Sequence, residues 1–370
     1  MTRRRIGIFA GGRSAEHEVS IASAEAILRE IDRDRYEPYL IYIDPTGGWH
    51  LPAGPAAVLG AEDSLADQLG VESISEHSAR LDAGQVTLPV AGGPAAVQAR
   101  AALRALGDAI DVAFIAIHGP YGEDGTLQGF LELAGIPYTG AGVLASAVAM
   151  DKVVFKDLMR GHSLPVVVPY RSFSRAAWRR SAQQVLGDIA TRIGQKAVVK
   201  PARLGSSVGM TLAHVPDELP SALEEAFRWD TKVLVEAYVP TAREFECGVL
   251  GNEDPIVFEP GEIVSHHELY DYEAKYVPGL ADVVPRAEVD PELGTRLREL
   301  SLAAYRAVDA RGMARVDFLA TPDEVFISEM NTIPGFTATS MFPKQAELAG
   351  ISFTDLVARL LELAEEEAPA

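Results

Sequence analysis

One stretch, Met313 to Gly335, constrains this chain more than any other, and it reads MARVDFLATPDEVFISEMNTIPG. Ala314, Val316 and Phe318 alternate with Arg315 and Asp317, the period of a strand with one apolar face. Thr321-Pro322-Asp323-Glu324 is a turn signal, and a second alternating run follows from Val325 to Asn331. A hairpin with Asp317 opposite Glu329 puts Arg315 opposite Asn331. All four side chains then share one face as cross-strand neighbours. Two carboxylates, an amide and a guanidinium make a poor core and a good metal–phosphate site. Magnesium takes oxygen ligands and usually holds substrate phosphates as well. Arginine offers a fixed fork of donors to phosphate or to a developing oxyanion. The plainer alternative is a solvated hairpin face with a surface ion pair. The tail Thr332 to Gly335 turns on a Pro-Gly pair and could aim backbone N–H groups at the same spot.

A length of 370 residues suggests two or three domains, and 48% hydrophobic residues are ample for sizeable cores. Lys plus Arg number 33 against 53 Asp plus Glu, a formal charge of -20. That argues against a nucleic-acid or anionic-membrane partner. It leaves room for a small anion in a locally basic pocket. The single cysteine, Cys247, excludes an internal disulfide and a thiolate zinc cluster, and its alternating apolar surroundings predict a buried thiol. No HExxH spacing occurs among the histidines, and the adjacent His266 and His267 would point to opposite sides of a strand. The apolar run Ile6 to Ala10 is too short for a signal peptide, and no run approaches transmembrane length. These features predict a cytoplasmic enzyme.

Ile6 to Ala10 reads as a buried strand, followed by Gly11-Gly12-Arg13-Ser14 and a helix with Ile21, Ala24, Ile27, Leu28 and Ile31 on one face. Strand, glycine turn and helix open a parallel α/β unit. Glu16 falls in the turn, where strand-end side chains reach ligands. It reads otherwise as an exposed helix-start acid that complements the macrodipole. Tyr39 to Ile43 is the next strand. From about Leu51 to Gly107 comes an elaboration rich in Ala, Gly and Pro, with a strand at 85–90 and a helix near 95–106. Val112 to Ile117 is a buried strand ending in the loop HGPYGEDG, and a helix follows from Thr126 to Ala134. His118 in that loop suits a substrate carboxylate, or simply the backbone groups of the loop itself.

Gly140 to Ala145 matches a loose GxGxxA fingerprint, but the strand before it is very short and no acid ends a strand about twenty residues later. Val143 to Arg160 is helical and carries Lys152 and Lys156; Trp178 to Ile193 is another helix. A strand from Ala197 ends in Lys200-Pro201. The loop ARLGSSVGM follows, and its N–H groups and the hydroxyls of Ser206 and Ser207 can close over phosphates. The alternative is a plain hairpin loop. Lys232 to Tyr238 and Glu244 to Leu250 are strands. HHELYDYEAKYVP, from His266 to Pro278, has no periodicity and reads as a functional lid. A helix with Phe353, Leu356, Val357, Leu360, Leu361 and Ala364 on one side closes the chain.

GGRSAEHEVS, HGPYGEDGTLQG, VVKPARLGSSVGM, YDYEAKY, ARVDF and EMNTIPGFT stand in the order found in D-alanine–D-alanine ligases. The chain resembles that family of the ATP-grasp superfamily over almost its whole length, apart from 51–107. The resemblance implies an α/β fold (α+β ATP-grasp). An N-terminal parallel α/β substrate domain, 1–140, would precede two α+β domains that clasp ATP: a central ATP-grasp domain, 141–239, and a C-terminal ATP-grasp and metal domain, 240–370. It implies that Lys152 and Lys200 hold the nucleotide phosphates beside Ser207, that Glu236 lies on the adenine side, and that Glu244 binds the ribose. Asp317, Glu329 and Asn331 match the ligands of two magnesium ions, for which manganese can substitute. Glu16 matches the acid that binds the ammonium of the first D-alanine, and Ser206 and Tyr276 match its hydrogen-bonding partners. Lys275 matches a lysine that reaches the transferred phosphate. Arg315 and the backbone N–H of Gly335 match the oxyanion site. Ser340 and the backbone N–H of Met341 match the groups that receive the second carboxylate.

Two D-alanines joined through an acyl phosphate, for peptidoglycan synthesis, are what the resemblance implies. It also implies a homodimer activated by potassium, with neither nucleic acid nor membrane as partner. The residues suit that chemistry on their own terms. Phosphoryl transfer needs positioning and charge neutralisation, which lysines and magnesium supply. A related ligase using D-lactate or another amine is the first alternative, and an inactive ATP-binding regulatory module is the second.

Overall fold

The computed structural model describes residues 3–60, 63–72, 106–107, 109–266 and 279–366. The strand expected at 85–90, the helix expected at 95–106 apart from Leu106, and the lid sequence after His266 lie outside the described residues. Among the described residues, three sheets follow one another along the chain.

In the first sheet, β1 (Arg4–Gly11) leads through α1 (His17–Glu30) to β2 (Tyr36–Ile43), and the short β3 (Trp49–His50) lies antiparallel beside β2. A short helix, α2 (Leu65–Leu69), was not legible in the sequence; Ser64 caps it by accepting the N–H of Asp67. β4 (Val112–Ile115) then pairs with β1, and α3 (Thr126–Ala134) falls where the apolar period predicts it. β1 is parallel to both β2 and β4, and it is buried from Ile6 onward. Ile21, Ala24, Ile27 and Leu28 of α1 are buried, the stripe expected from the helical period.

The helix expected over 143–160 is two helices, α4 (Val143–Met150) and α5 (Lys152–Gly161). Asp151 divides them. Its backbone is extended, and its side chain accepts the N–H groups of Val153 and Val154 at 3.2 Å each. A short acceptor of this kind is worth more at a helix start than inside a helix. The same carboxylate meets Lys232 at 2.8 Å, which ties the start of α5 to the second sheet.

That sheet contains β5 (Tyr170–Ser174), β6 (Ala197–Pro201), β7 (Thr211–Ala213) and β8 (Lys232–Ala237), antiparallel in the order β5-β8-β6-β7. α6 (Arg175–Arg180), α7 (Ala182–Arg192) and α8 (Leu219–Trp229) cover one face, with Trp178, Ile189, Leu223 and Phe227 packed on Val199, Val233 and Val235. The helix expected from Trp178 begins earlier, at Arg175, because Ser174 caps it, and it breaks at the extended Ser181.

The third sheet is antiparallel. β9 (Arg243–Leu250), β10 (Ile256–Val257), β11 (Gly261–Ser265) and β12 (Ala281–Val284) precede α9 (Pro291–Ala307) and the hairpin β13 (Met313–Ala320) and β14 (Val325–Asn331). The order is β12-β11-β9-β13-β14, with β10 on β9. Cys247 lies buried in the core beneath it, as the alternation predicts, and burial pushes the thiol up to about 12. Ala145, Ala149, Phe155 and Met159 from α4 and α5 share that core. After α10 (Met341–Leu348), the last helix, α11 (Phe353–Glu366), carries Leu356, Val357, Leu360 and Leu361 back into the core of the first sheet. Arg4 meets Glu365 at 2.9 Å and Arg35 meets Glu362 at 2.7 Å across this return.

Candidate active site

The β13–β14 hairpin has the register read from the sequence: Asp317 opposite Glu329 and Arg315 opposite Asn331. Past Asp317 the register shifts, so that Phe318 faces Ile327 and Ser328 is extra. A bulge of this kind bends the strand and re-aims its side chains. β9 lies on the other side of β13 with Glu246 opposite Asp317. Arg315 donates to both oxygens of Asp317 at 2.7 Å and meets Glu246 at 3.2 Å. Asn331 donates its amide N–H to Asp317 at 2.9 Å. Lys152, first residue of α5, reaches Glu329 at 2.9 Å and donates to the carbonyl of Leu204 at 2.9 Å. The face is therefore a charge network, with three carboxylates against two fixed cations.

Whether a metal fits can be judged from these donors. No group of three or more acids, histidines or cysteines that could hold a metal occurs among the described residues. The expected set is two carboxylates and an amide oxygen, hard donors throughout. Magnesium keeps several waters and shares substrate phosphates, so it needs only one or two protein carboxylates. The set fits magnesium and does not fit a metal that demands a full protein cage.

A cleft opens between the second and third sheets. Lys152, Lys200, Ser207, Glu236, Glu244, Asp317 and Glu329 all line it, with Val198, Val208, Phe245 and Leu319 as apolar wall. Glu236 is buried. Burial alone would raise its carboxyl, but Lys156 and Lys200 outweigh burial and hold it down at about 2. Lys156 lies 2.9 Å from one oxygen of Glu236, and Lys200 pairs with the other.

The loop after β6 crosses to the first sheet. Ser206 and Ser207 both have left-handed backbone, with φ of 49° and 57°. Such strain in residues with a Cβ persists where surroundings impose it, often at functional sites. The Ser206 hydroxyl donates to Glu16. Glu16 is only 5% exposed, so it is not the solvated helix-start acid of the alternative reading. Two glycines press on its carboxylate. A Cβ on Gly205 would stand 2.5 Å from one oxygen, and Gly119, at φ +74°, is equally close.

His118 is buried and both ring nitrogens have protein partners: Nδ1 faces the carbonyl of Ile333 at 3.0 Å and Nε2 the hydroxyl of Ser23 at 2.8 Å. A carbonyl only accepts, so Nδ1 carries the hydrogen and Nε2 accepts from Ser23. Burial lowers its pKa to about 4. Glu123 grips the same residue through its other backbone group, accepting the N–H of Ile333 at 3.1 Å, and it also accepts the N–H of Gly119 at 2.7 Å. Burial, with Glu16 as the nearby like charge, raises Glu123 to about 8. The tail that carries Gly335 is thus clamped to the first sheet. Ser340 accepts the N–H of Thr337 at 3.1 Å and stands at the N-terminus of α10, whose first residue is the buried Met341. Gln345 fixes α10 to β9 by accepting from Gly248 at 2.9 Å and donating to the carbonyl of Glu246 at 2.8 Å.

Lys275 and Tyr276 lie outside the described residues. Glu246, Glu123, Gln345 and the pairing of Lys156 were missed by reading the sequence. Glu246 had a local signal, since it alternates with Glu244 along β9. The others meet partners far away in the chain, which no local pattern reveals.

Family models described as the D-ala D-ala ligase N-terminus and C-terminus match residues 5–141 and 158–362. The D-alanine–D-alanine ligase of Deinococcus radiodurans is 41% identical over 99% of both chains. Among solved structures, the VanG D-Ala:D-Ser ligase of Enterococcus faecalis has a TM-score of 0.77 at 30% identity, covering 98% of this chain and 100% of that one. The D-alanine–D-alanine ligase of Bacillus anthracis complexed with ATP has a TM-score of 0.71 at 28% identity, covering 99% and 98%.

Proposed function

The chain belongs to the D-alanine–D-alanine ligase family, with its ATP-grasp fold, and on that premise we propose how its residues divide the work. The protein is an ATP-dependent ligase that joins two D-alanines, a reaction that serves cell-wall synthesis. The observation that carries the division of work is the single cleft lined by Lys152, Lys200, Ser207, Glu236, Glu244, Asp317 and Glu329.

ATP supplies the phosphoryl group that turns the first carboxylate, a poor electrophile, into a D-alanyl phosphate. Lys152, Lys200 and Ser207 hold the nucleotide phosphates, while Glu236 and Glu244 face adenine and ribose. Asp317, Glu329 and the amide oxygen of Asn331 would hold two magnesium ions, or manganese in their place; the excess of three carboxylates over two cations on that face supports this. Glu16, braced by Ser206, binds the ammonium of the first D-alanine, and its burial at the meeting of two loops supports the role. His118, which the resemblance assigns to the first substrate's carboxylate, has both ring nitrogens engaged by Ile333 and Ser23, so it serves that site by holding the tail. Arg315 and the N–H of Gly335 meet the oxyanion of the addition step. Ser340 and the N–H of Met341 fix the second carboxylate, so the amine attacks as if within one molecule. For Lys275 and Tyr276 only the resemblance speaks: it assigns the first to the transferred phosphate and the second to hydrogen bonding beside Glu16. We divide the chain into three domains, 1–140, 141–239 and 240–370, of which the second and third supply the residues that line this cleft. A homodimer, potassium activation and a cytoplasmic location follow from the resemblance. No helix among the described residues is long and apolar enough to cross a membrane.

The test offers the purified protein ATP, magnesium and labelled D-alanine, alone and with excess D-serine or D-lactate, and separates the products by chromatography. D-alanyl-D-alanine should dominate near neutral pH. A mixed dipeptide or a depsipeptide as main product would overturn the choice of second substrate. Phosphate release that ignores D-alanine would overturn the ligase reading itself.

A further inference from the structure

Lys156 has no role in the division of work above, yet its placement is unusual. It stands in α5 with a side chain 1% exposed, and its Nζ lies 2.9 Å from the carboxylate of Glu236, which is 3% exposed. Lys200 pairs with the other Glu236 oxygen. One buried carboxylate therefore serves two ammonium groups. Their access differs. In the sheet, Lys200 lies opposite Leu234 and Glu236 opposite Val198, so Lys200 and Glu236 are diagonal neighbours on the cleft face. Lys200 lines the cleft, whereas Lys156 approaches Glu236 from the helix, beside the ring of Tyr170 at 5.8 Å. Burial pulls Lys156 down, while Glu236 and Glu329 outweigh burial and raise Lys200.

Pairing one carboxylate needs one cation. A second cation has a use if the first must leave. Lys200 must share its ammonium with phosphate once ATP binds, which loosens its pairing with Glu236, and a buried carboxylate left short of counter-charge is strongly destabilising. We propose that Lys156 is a positioning residue of the nucleotide site, the resident counter-ion of Glu236 that frees Lys200 to turn toward the phosphates of ATP. This rests on the ligase reading of the cleft.

The experiment measures ATP binding by calorimetry, with magnesium and without D-alanine, in four proteins: unmodified, Lys156→Met, Glu236→Gln, and the pair together. Methionine keeps the length of the stem and removes the charge. Losing one charge-assisted contact corresponds to roughly 10- to 100-fold in affinity. Lys156→Met should therefore weaken ATP by roughly 30-fold with Glu236 present, and by less than about 3-fold beside Glu236→Gln, since a neutral amide needs no counter-ion. A residue that merely fills space would give equal losses in both backgrounds, and that result overturns the proposal. So does wild-type affinity in the single variant. Should Lys156→Met fail to fold, the double variant compared with Glu236→Gln still decides. Replacing both charges of a buried pair is generally tolerated, and a 30-fold loss in that comparison would sink the idea. If the unmodified protein does not bind ATP at all, the ligase reading fails instead.

Discussion

Gly205→Ala tests the geometry around Glu16 with one methyl group. The new Cβ would stand 2.5 Å from one carboxylate oxygen of Glu16, 2.9 Å from the other and 3.0 Å from the carboxyl carbon. Ordinary contact starts at 3.4 Å, so the carboxylate must retreat by about 0.9 Å. The obstacle is the end of a side chain rather than backbone, so the fold absorbs the change. Overpacking costs about 1–3 kcal/mol, and stiffening the unfolded chain at a former glycine returns about 0.4–1 kcal/mol. Stability should fall by no more than about 2.6 kcal/mol. Function should suffer more. A displacement of ~1 Å at a reacting centre costs roughly 100-fold in rate, equivalent to about 2.7 kcal/mol of barrier. The assay titrates D-alanine at saturating ATP and magnesium, with ATP affinity measured separately and a thermal melt as control. kcat/KM for D-alanine should drop roughly 100-fold while ATP affinity changes little. A folded variant with normal kcat/KM would refute the reasoning. Equal losses for D-alanine and ATP would assign the effect to the phosphate loop rather than to Glu16.

Glu16→Gln should weaken the first D-alanine far more than ATP, and equal losses in separate titrations would contradict its role. Asp317→Ala or Glu329→Ala should leave a folded protein with at least ~100-fold lower turnover; near-normal turnover at ordinary magnesium rules out the metal face. His118 gives a pH signature. Its folded pKa, about 4, lies below the 6.5 of an unfolded histidine. Its contribution to stability is present above 6.5 and is lost as pH falls through about 4. Within that window the slope is about 1.36 kcal/mol per pH unit. Unfolding free energies of the protein and of His118→Phe, measured by denaturant titration from pH 7 to 4, should differ by this slope; parallel curves would contradict it.

The sequence made the hairpin legible because register follows from alternation once a turn is fixed. The apolar faces of α1 and α11 and the buried Cys247 were legible for the same reason: burial period is a local property. What lay beyond reach depends on tertiary neighbours. Asp151 divides a helix that propensity alone runs through, and its carboxylate is held by Lys232 from a distant strand. Ser328 becomes a bulge only because β14 must keep pace with β13. Glu123 and His118 look like loop residues until Ile333 arrives between them. The loop HGPYGEDG therefore carried a signal of importance without revealing what it grips.

The return of α11 to the first sheet has a consequence for synthesis. That sheet precedes the other two in the chain, yet part of its apolar cover, Leu356 to Leu361, is translated only after both of them. Translation proceeds at about 5–20 residues per second, so β1, β2 and β4 wait on the order of tens of seconds before Leu356, Val357, Leu360 and Leu361 can reach them. Throughout that interval an apolar surface stays open to chaperones and to neighbouring nascent chains. A premature stop shortly before Phe353 would spare every proposed site residue and still leave the first sheet without that cover. The resulting fragment should be soluble only in the company of a chaperone.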